Sequence, residues 1–207
     1  REDVDAVLVA GDVYNRAQPQ PECISMFSRF LSRLRALGKP AFFVRGNHDG
    51  EAQLAYASEL LSEGGLHLTG LFDGTLSRTT LTDEFGELDV WLMPYIRPTQ
   101  ARRVFPDEKI ESYADAVLER AQIDPERRNV LVTHQYVFGA QPSDSEDRAL
   151  GGLDQIPAEA FDAFDYVALG HLHRAQTLRG GKIRYCGAPL VYSFDECAQE
   201  KSATLVT

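Results

Sequence analysis

Ala41-Phe42-Phe43-Val44-Arg45-Gly46-Asn47-His48-Asp49 decides how this chain reads. Four consecutive apolar residues that run toward a glycine suit a short strand buried on both faces. The polar group from Gly46 to Asp49 sits where such a strand would end. The same pattern recurs on either side. Upstream, Asp5-Ala6-Val7-Leu8-Val9-Ala10-Gly11 reads as a buried strand covered on both faces, and Gly11-Asp12 closes it. Downstream, Val130-Leu131-Val132-Thr133-His134 is a third apolar strand and ends on a histidine. The run 164–169 is a fourth, and it leads into Gly170-His171-Leu172-His173.

Between these strands the spacing changes. From Glu22 to Leu37, apolar residues recur at Ile24, Phe27, Phe30, Leu31, Leu34 and Leu37. That is a helical period, with Pro21 at its start and Gly38 at its stop. Glu51 to Leu61 reads as a second helix, stopped by Gly64-Gly65, and Glu108 to Gln122 as a third. Strand, helix, strand, helix implies an α/β layer architecture with parallel strands. Runs 66–69, 76–82 and 88–94 read as further strands, with turns at Asp73-Gly74 and Phe85-Gly86. Residues 176–186 read as a hairpin around Gly180-Gly181, and 202–206 as a last strand. Segment 138–152 is a polar loop whose length points to a functional or mobile connection.

Composition narrows the class. The 207 residues suit one domain, here taken as 1–207, with 43% hydrophobic and 25% charged residues, as in soluble globular proteins. No run approaches the roughly 20 apolar residues that span a bilayer, so no membrane partner is expected. The start, Arg1-Glu2-Asp3-Val4-Asp5, has neither the basic end nor the apolar core of a signal peptide. It has no initiator Met and leads at once into a strand, so the chain is expected to begin inside a larger, cytoplasmic protein. Cys23, Cys186 and Cys197 form no disulfide framework and no zinc pair. The net charge of −10 argues against broad, passive nucleic-acid binding. It leaves a phosphodiester substrate open, because bound divalent cations reverse the local field around carboxylates.

In open α/β sheets, ligands collect at the carboxyl ends of the strands. Four strands deliver Asp12, Asn47, His48, Asp49, His134, His171 and His173 to what reads as one edge. Carboxylate, amide oxygen and imidazole suit manganese, iron or zinc. A carboxylate can also bridge two metals, as two-metal hydrolysis requires. Four of the five histidines lie in these motifs, and His67, at a plain strand start, is left out. Each motif alone has an ordinary explanation. Gly11-Asp12 can be a strand-to-turn ending, Asn47 and Asp49 can cap a helix, and His134 can be a satisfied core histidine. His171 and His173 alternate along an extended segment, so both rings can face one side. The ordered set is far more specific than any member of it.

That set resembles the calcineurin-like metallophosphoesterase superfamily, whose motifs run D-x-H, G-D, G-N-H-D, a lone His and G-H-x-H. Within it, the chain is similar to the SbcD-type nuclease subunits of bacterial SbcC–SbcD complexes. The narrower likeness lies in residues 9–14, 167–176, 184–189 and 193–197. The resemblance implies a layered core of mixed β-sheets flanked by helices. It implies hydrolysis of DNA as exonuclease and endonuclease with two Mn²⁺ ions, an SbcC-like ATPase partner, and a homodimer in the intact protein. Asp12 would bridge both metals, Asn47, His134 and His171 would complete one site, and His173 would serve the other. His48 would assist the leaving oxygen, and Asp49 would orient His48 or cap the next helix.

Two departures stand out. No histidine here has an Asp two places before it, so the D-x-H motif is absent. The chain is also expected to lack the capping and SbcC-binding regions that follow such a core, and so to be a truncated core with weak or absent activity by itself. Asn15 stands where relatives often carry Asp or His. Two other readings remain: a phosphodiesterase or phosphatase for small substrates, and an inert piece that dimerises through the helix carrying Phe27, Phe30 and Leu34.

Overall fold

The computed structural model describes residues 3–112, 123–146 and 155–207. Its first unit is a three-stranded parallel sheet of β1 (Val7–Val9), β2 (Ala41–Val44) and β3 (Leu66–Thr69), in that order. Helix α1 (Pro21–Ala36) crosses between β1 and β2. β2 alternates in the way a doubly covered strand must. Ala41 and Phe43 pack with Leu34 and Leu66, and with Phe27 and Leu31 of α1. Phe42 and Val44 face the opposite way, toward Val90, Leu92 and Val132 of a second sheet.

That second sheet has six strands. In chain order they are β4 (Ser77–Asp83), β5 (Gly86–Met93), β6 (Arg128–His134), β9 (Tyr166–Gly170), β10 (Gln176–Leu178) and β11 (Ile183–Tyr185). The intervening β7 (Tyr136–Val137) and β8 (Gln155–Ile156) form a small parallel pair of their own. Across the large sheet the order is β10-β11-β9-β6-β5-β4. β5, β6, β9 and β11 run parallel, and β4 and β10 are antiparallel at the two edges. Its outer face carries Trp91, Met93, Leu131, Val167 and Leu169 against a second apolar core. The molecule is thus a mixed α/β layered structure, as the sequence implies.

Several elements differ from expectation. The segment 51–61 is two short helices, α2 (Glu51–Ala55) and α3 (Ser58–Ser62). Ala57 between them takes φ 58°, a left-handed conformation that ends α2 and starts α3 afresh. β1 is only half-buried, because β2 is its single neighbour among the described strands. The expected strand at 202–206 is not one: the segment lies along the surface with Leu205 and Val206 exposed and no ladder partner. Of the expected helix 108–122, residues 108–112 are non-helical and the rest lies outside the described residues. Helix α4 (Pro98–Val104) was not foreseen. The hairpin of β10 and β11 stands as read, turning through Arg179–Gly181. No helix among the described residues is long and apolar enough to cross a membrane.

The layers fix where chemistry can occur. β6 and β9 align His134 with Gly170, and β5 and β6 align Met93 with Thr133. The N–H of Tyr95, just past β5, donates to the carbonyl of Arg45, just past β2 (2.8 Å). This bond ties the carboxyl ends of the two sheets to one edge.

Candidate metal centre

At that edge Asp12, Asn47, His134 and His171 converge. His134 Nε2 lies 2.9 Å from Asn47 Oδ1 and 3.3 Å from Asp12 Oδ2. His171 Nδ1 lies 3.0 Å from the same Asn47 oxygen. The rings of His134 and His171 are 5.1 Å apart, and Tyr95 lies against both. His48 sits at the exposed rim, where its backbone N–H donates to Asp12 Oδ1 (3.0 Å).

Glycines make this convergence possible. A Cβ on Gly46 would stand 2.0 Å from Asp12 Oδ1, and one on Gly170 would stand 1.7 Å from the carbonyl oxygen of Ala10. Both glycines let another strand end come closer than any side chain permits. Strain collects here as well. Asp12 (φ 49°) and His171 (φ 93°) are both in the positive region that non-glycine residues avoid.

Burial and hydrogen bonding set the donor states. His134 is 1% exposed, and its Nδ1 lies 2.7 Å from the carbonyl of Ala10. A carbonyl can only accept, so Nδ1 carries a proton, and Nε2 is the nitrogen turned toward the Asn47 and Asp12 oxygens. Tyr185, fully buried, donates to Gln135 O and accepts from Val137 N–H, which fixes the chain just past His134. Burial works against ionisation of Asp12, but His134 beside it and the His48 N–H outweigh that and lower its carboxyl to about 2. Burial, reinforced by His134, lowers His171 to about 3, so its ring is neutral at pH 7.

This donor set fits a divalent cation. Two imidazoles, a carboxylate and an amide oxygen converge at 2.9–3.3 Å. Side chains that share one ion at about 2.1 Å show about that separation. Among the described residues, no group of three or more His, Cys, Asp and Glu side chains is arranged by itself to hold a metal. The set that converges depends on the Asn47 amide.

Asp49 has neither expected role. Gly50, not Asp49, is the N-cap position of α2, with no side-chain cap. The Asp49 carboxylate accepts from the N–H groups of Gly46 (2.9 Å), Tyr14 (2.8 Å) and Val13 (3.2 Å). It staples the loop that follows β1 to the loop that follows β2. His67, outside the site, is half-buried and stacks on Phe42 at 4.8 Å.

His173 lies to one side in a separate setting. Its Nδ1 is 2.9 Å from Glu196 Oε1, its N–H donates to Glu146, and Tyr192 packs 5.1 Å from its ring. Burial opposes ionisation of Glu196, but hydrogen bonds from Lys201, Ser145 and His173 hold its carboxyl well below the usual range. Sequence reading missed Glu146 and Glu196. The one available signal was the position of Glu146 in the long polar loop.

A cleft of about 380 Å³ opens beside Asn47, lined in part by Arg45, Tyr95, Arg97 and Arg103. Arg45 is buried, and its guanidinium donates to the carbonyls of Gly70 and Tyr95. Glu51 also lines the cleft, 3.7 Å from Arg45.

The sequence model of the calcineurin-like phosphoesterase family matches residues 1–175, which include Asp12, Asn47, His48, His134, His171 and His173. The chain therefore belongs to the calcineurin-like phosphoesterase family, whose members are metal-dependent phosphoester hydrolases.

Proposed function

We propose that this chain is the hydrolytic core of a Mn²⁺-dependent DNA nuclease. One observation carries the reading: Asp12, Asn47, His134 and His171 meet at the joined ends of two sheets. These four residues would hold one divalent ion. Asp12 would be shared with a second ion that His173 serves. The ions would polarise the phosphodiester and activate water. His48, exposed at the rim, donates a proton to the leaving oxygen. Asp49 keeps Gly46 and the loop after β1 in place, so that Asp12 and Asn47 stay in register.

A polymeric substrate is supported by Arg97 and Arg103 of the neighbouring cleft, whose charge suits phosphates on either side of the scissile bond. It is also supported by the likeness of residues 184–189 and 193–197 to SbcD-type nucleases. An SbcC-like ATPase and a homodimer belong to this reading. Met26 and Phe30 of α1 are exposed, as a dimer contact would need, whereas Phe27 and Leu34 are turned into the sheet. The net charge of −10 favours a second reading, hydrolysis of small phosphodiesters. With Mn²⁺ present, a labelled duplex or hairpin competes with a chromogenic phosphodiester. Cleavage of the DNA in preference supports the nuclease. Turnover of the small ester alone refutes it.

A further inference from the structure

His173 is the one expected ligand that strand ends do not hold. Its partners come from the loop after β7 and from the C-terminal segment beyond residue 175, where the family match ends. Glu196 is fully buried there. Its Oε2 accepts from Lys201 Nζ (2.7 Å) and Tyr192 N–H (3.2 Å). Its Oε1 accepts from Ser145 Oγ and Ser193 Oγ and faces His173 Nδ1 at 2.9 Å. Lys201 also donates to the carbonyl of His173 (3.2 Å). A carboxylate beside an ammonium is an acceptor only. Ser145 already spends its hydroxyl proton on Glu196, so the proton between His173 and Glu196 must sit on Nδ1.

We propose that Glu196 is a positioning residue that locks His173 in the Nδ1–H tautomer and leaves Nε2 bare as a metal donor. A carboxylate on the far nitrogen of a ligating histidine fixes ring orientation and raises ligand basicity. The tautomer follows from Glu196 itself. The use of Nε2 depends on the proposed role of His173 as a ligand.

The test is ¹⁵N NMR of the imidazole nitrogens in the metal-free full chain at pH 8. His173 should show a protonated Nδ1 and a bare Nε2, against the Nε2–H preference of an unconstrained imidazole. Glu196→Ala should revert to Nε2–H, and Glu196→Gln, whose amide oxygen still accepts, should keep Nδ1–H. A wild-type His173 with its proton on Nε2, or an unchanged tautomer in Glu196→Ala, overturns the proposal. The wild-type spectrum decides the tautomer without any variant, whether or not Glu196→Ala folds. Calorimetry with Mn²⁺ should then show affinity about 10–100-fold weaker in Glu196→Ala and largely restored in Glu196→Gln. Equal affinity in Glu196→Ala and wild type overturns the positioning role. A wild type that binds no Mn²⁺ overturns the ligand role of His173 and leaves the tautomer result standing.

Discussion

His134 and His173 are both expected metal ligands, yet they are held by opposite means. His134 is gripped by backbone: the Ala10 carbonyl, the close approach of Gly170, and strand pairing along β6. His173 is gripped by side chains from distant segments: Glu146, Ser145, Glu196 and, through its carbonyl, Lys201. The first arrangement is built into the layered core and is as rigid as the sheets. The second needs charged groups that are buried only because they satisfy one another. One half of the candidate site therefore comes with the fold, and the half proposed for His173 depends on a loop and a tail.

Variants can break this contrast. The largest effect is expected at the rim, which belongs to neither half. His48→Ala should lower phosphodiester turnover by about 10²–10⁴-fold, while calorimetry shows Mn²⁺ binding unchanged. A parallel loss of metal binding would place His48 among the ligands instead.

Gly170→Ala attacks the backbone-held half. A Cβ 1.7 Å from the Ala10 carbonyl oxygen cannot be accommodated without moving β1 from β9. Urea unfolding should show a loss of about 3 kcal/mol. A stable variant with wild-type metal affinity would mean that the strand ends are more plastic than the geometry implies.

Acid sharpens the contrast in the metal-free chain. His171 is lowered to about 3 in the folded state, so between pH 6.5 and 3 the unfolded chain binds the extra proton. Stability is complete above pH 6.5 and falls with pH toward 3, at a slope of up to about 1.4 kcal/mol per pH unit from this group. Asp12, lowered to about 2, adds a loss that begins below pH 3.8 and finishes near 2. Unfolding midpoints measured across this range should flatten between pH 6.5 and 4 in His171→Gln. An equally steep His171→Gln curve would assign the acid sensitivity to another group.

The smallest effect is expected at the fifth histidine. His67 stacks on Phe42, and its polar contact with Thr79 is long at 3.4 Å. His67→Phe should change stability by less than about 1 kcal/mol and leave turnover unaltered. Loss of activity there would break the division between site and packing histidines.

The two halves also differ in how legible they are in the sequence. The strand-end half can be read directly, because each polar group closes an apolar run, as at Ala41–Val44 and Asn47. The layers follow from the same runs, since Phe42 and Phe43 must face opposite ways. The contacts that hold His173 leave no such local mark. Glu196 meets His173 across 23 residues and Ser145 across 51, and no local period marks such pairs. Asp49 was misassigned for the same reason: its partners at Val13 and Tyr14 lie 36 and 35 residues away. The break at Ala57 has no glycine or proline to announce it. The surface run at 202–206 alternates like a strand but finds no ladder partner.

The most direct test of the account is pulsed EPR of Mn²⁺ bound to this chain, paired with calorimetric titration of wild type and Asp12→Asn. The account predicts at least one bound Mn²⁺ with nitrogen couplings from two imidazoles, lost in His134→Ala and His171→Ala, and binding sharply weakened in Asp12→Asn. Mn²⁺ that binds with no nitrogen coupling, or that binds Asp12→Asn as tightly as wild type, would contradict it.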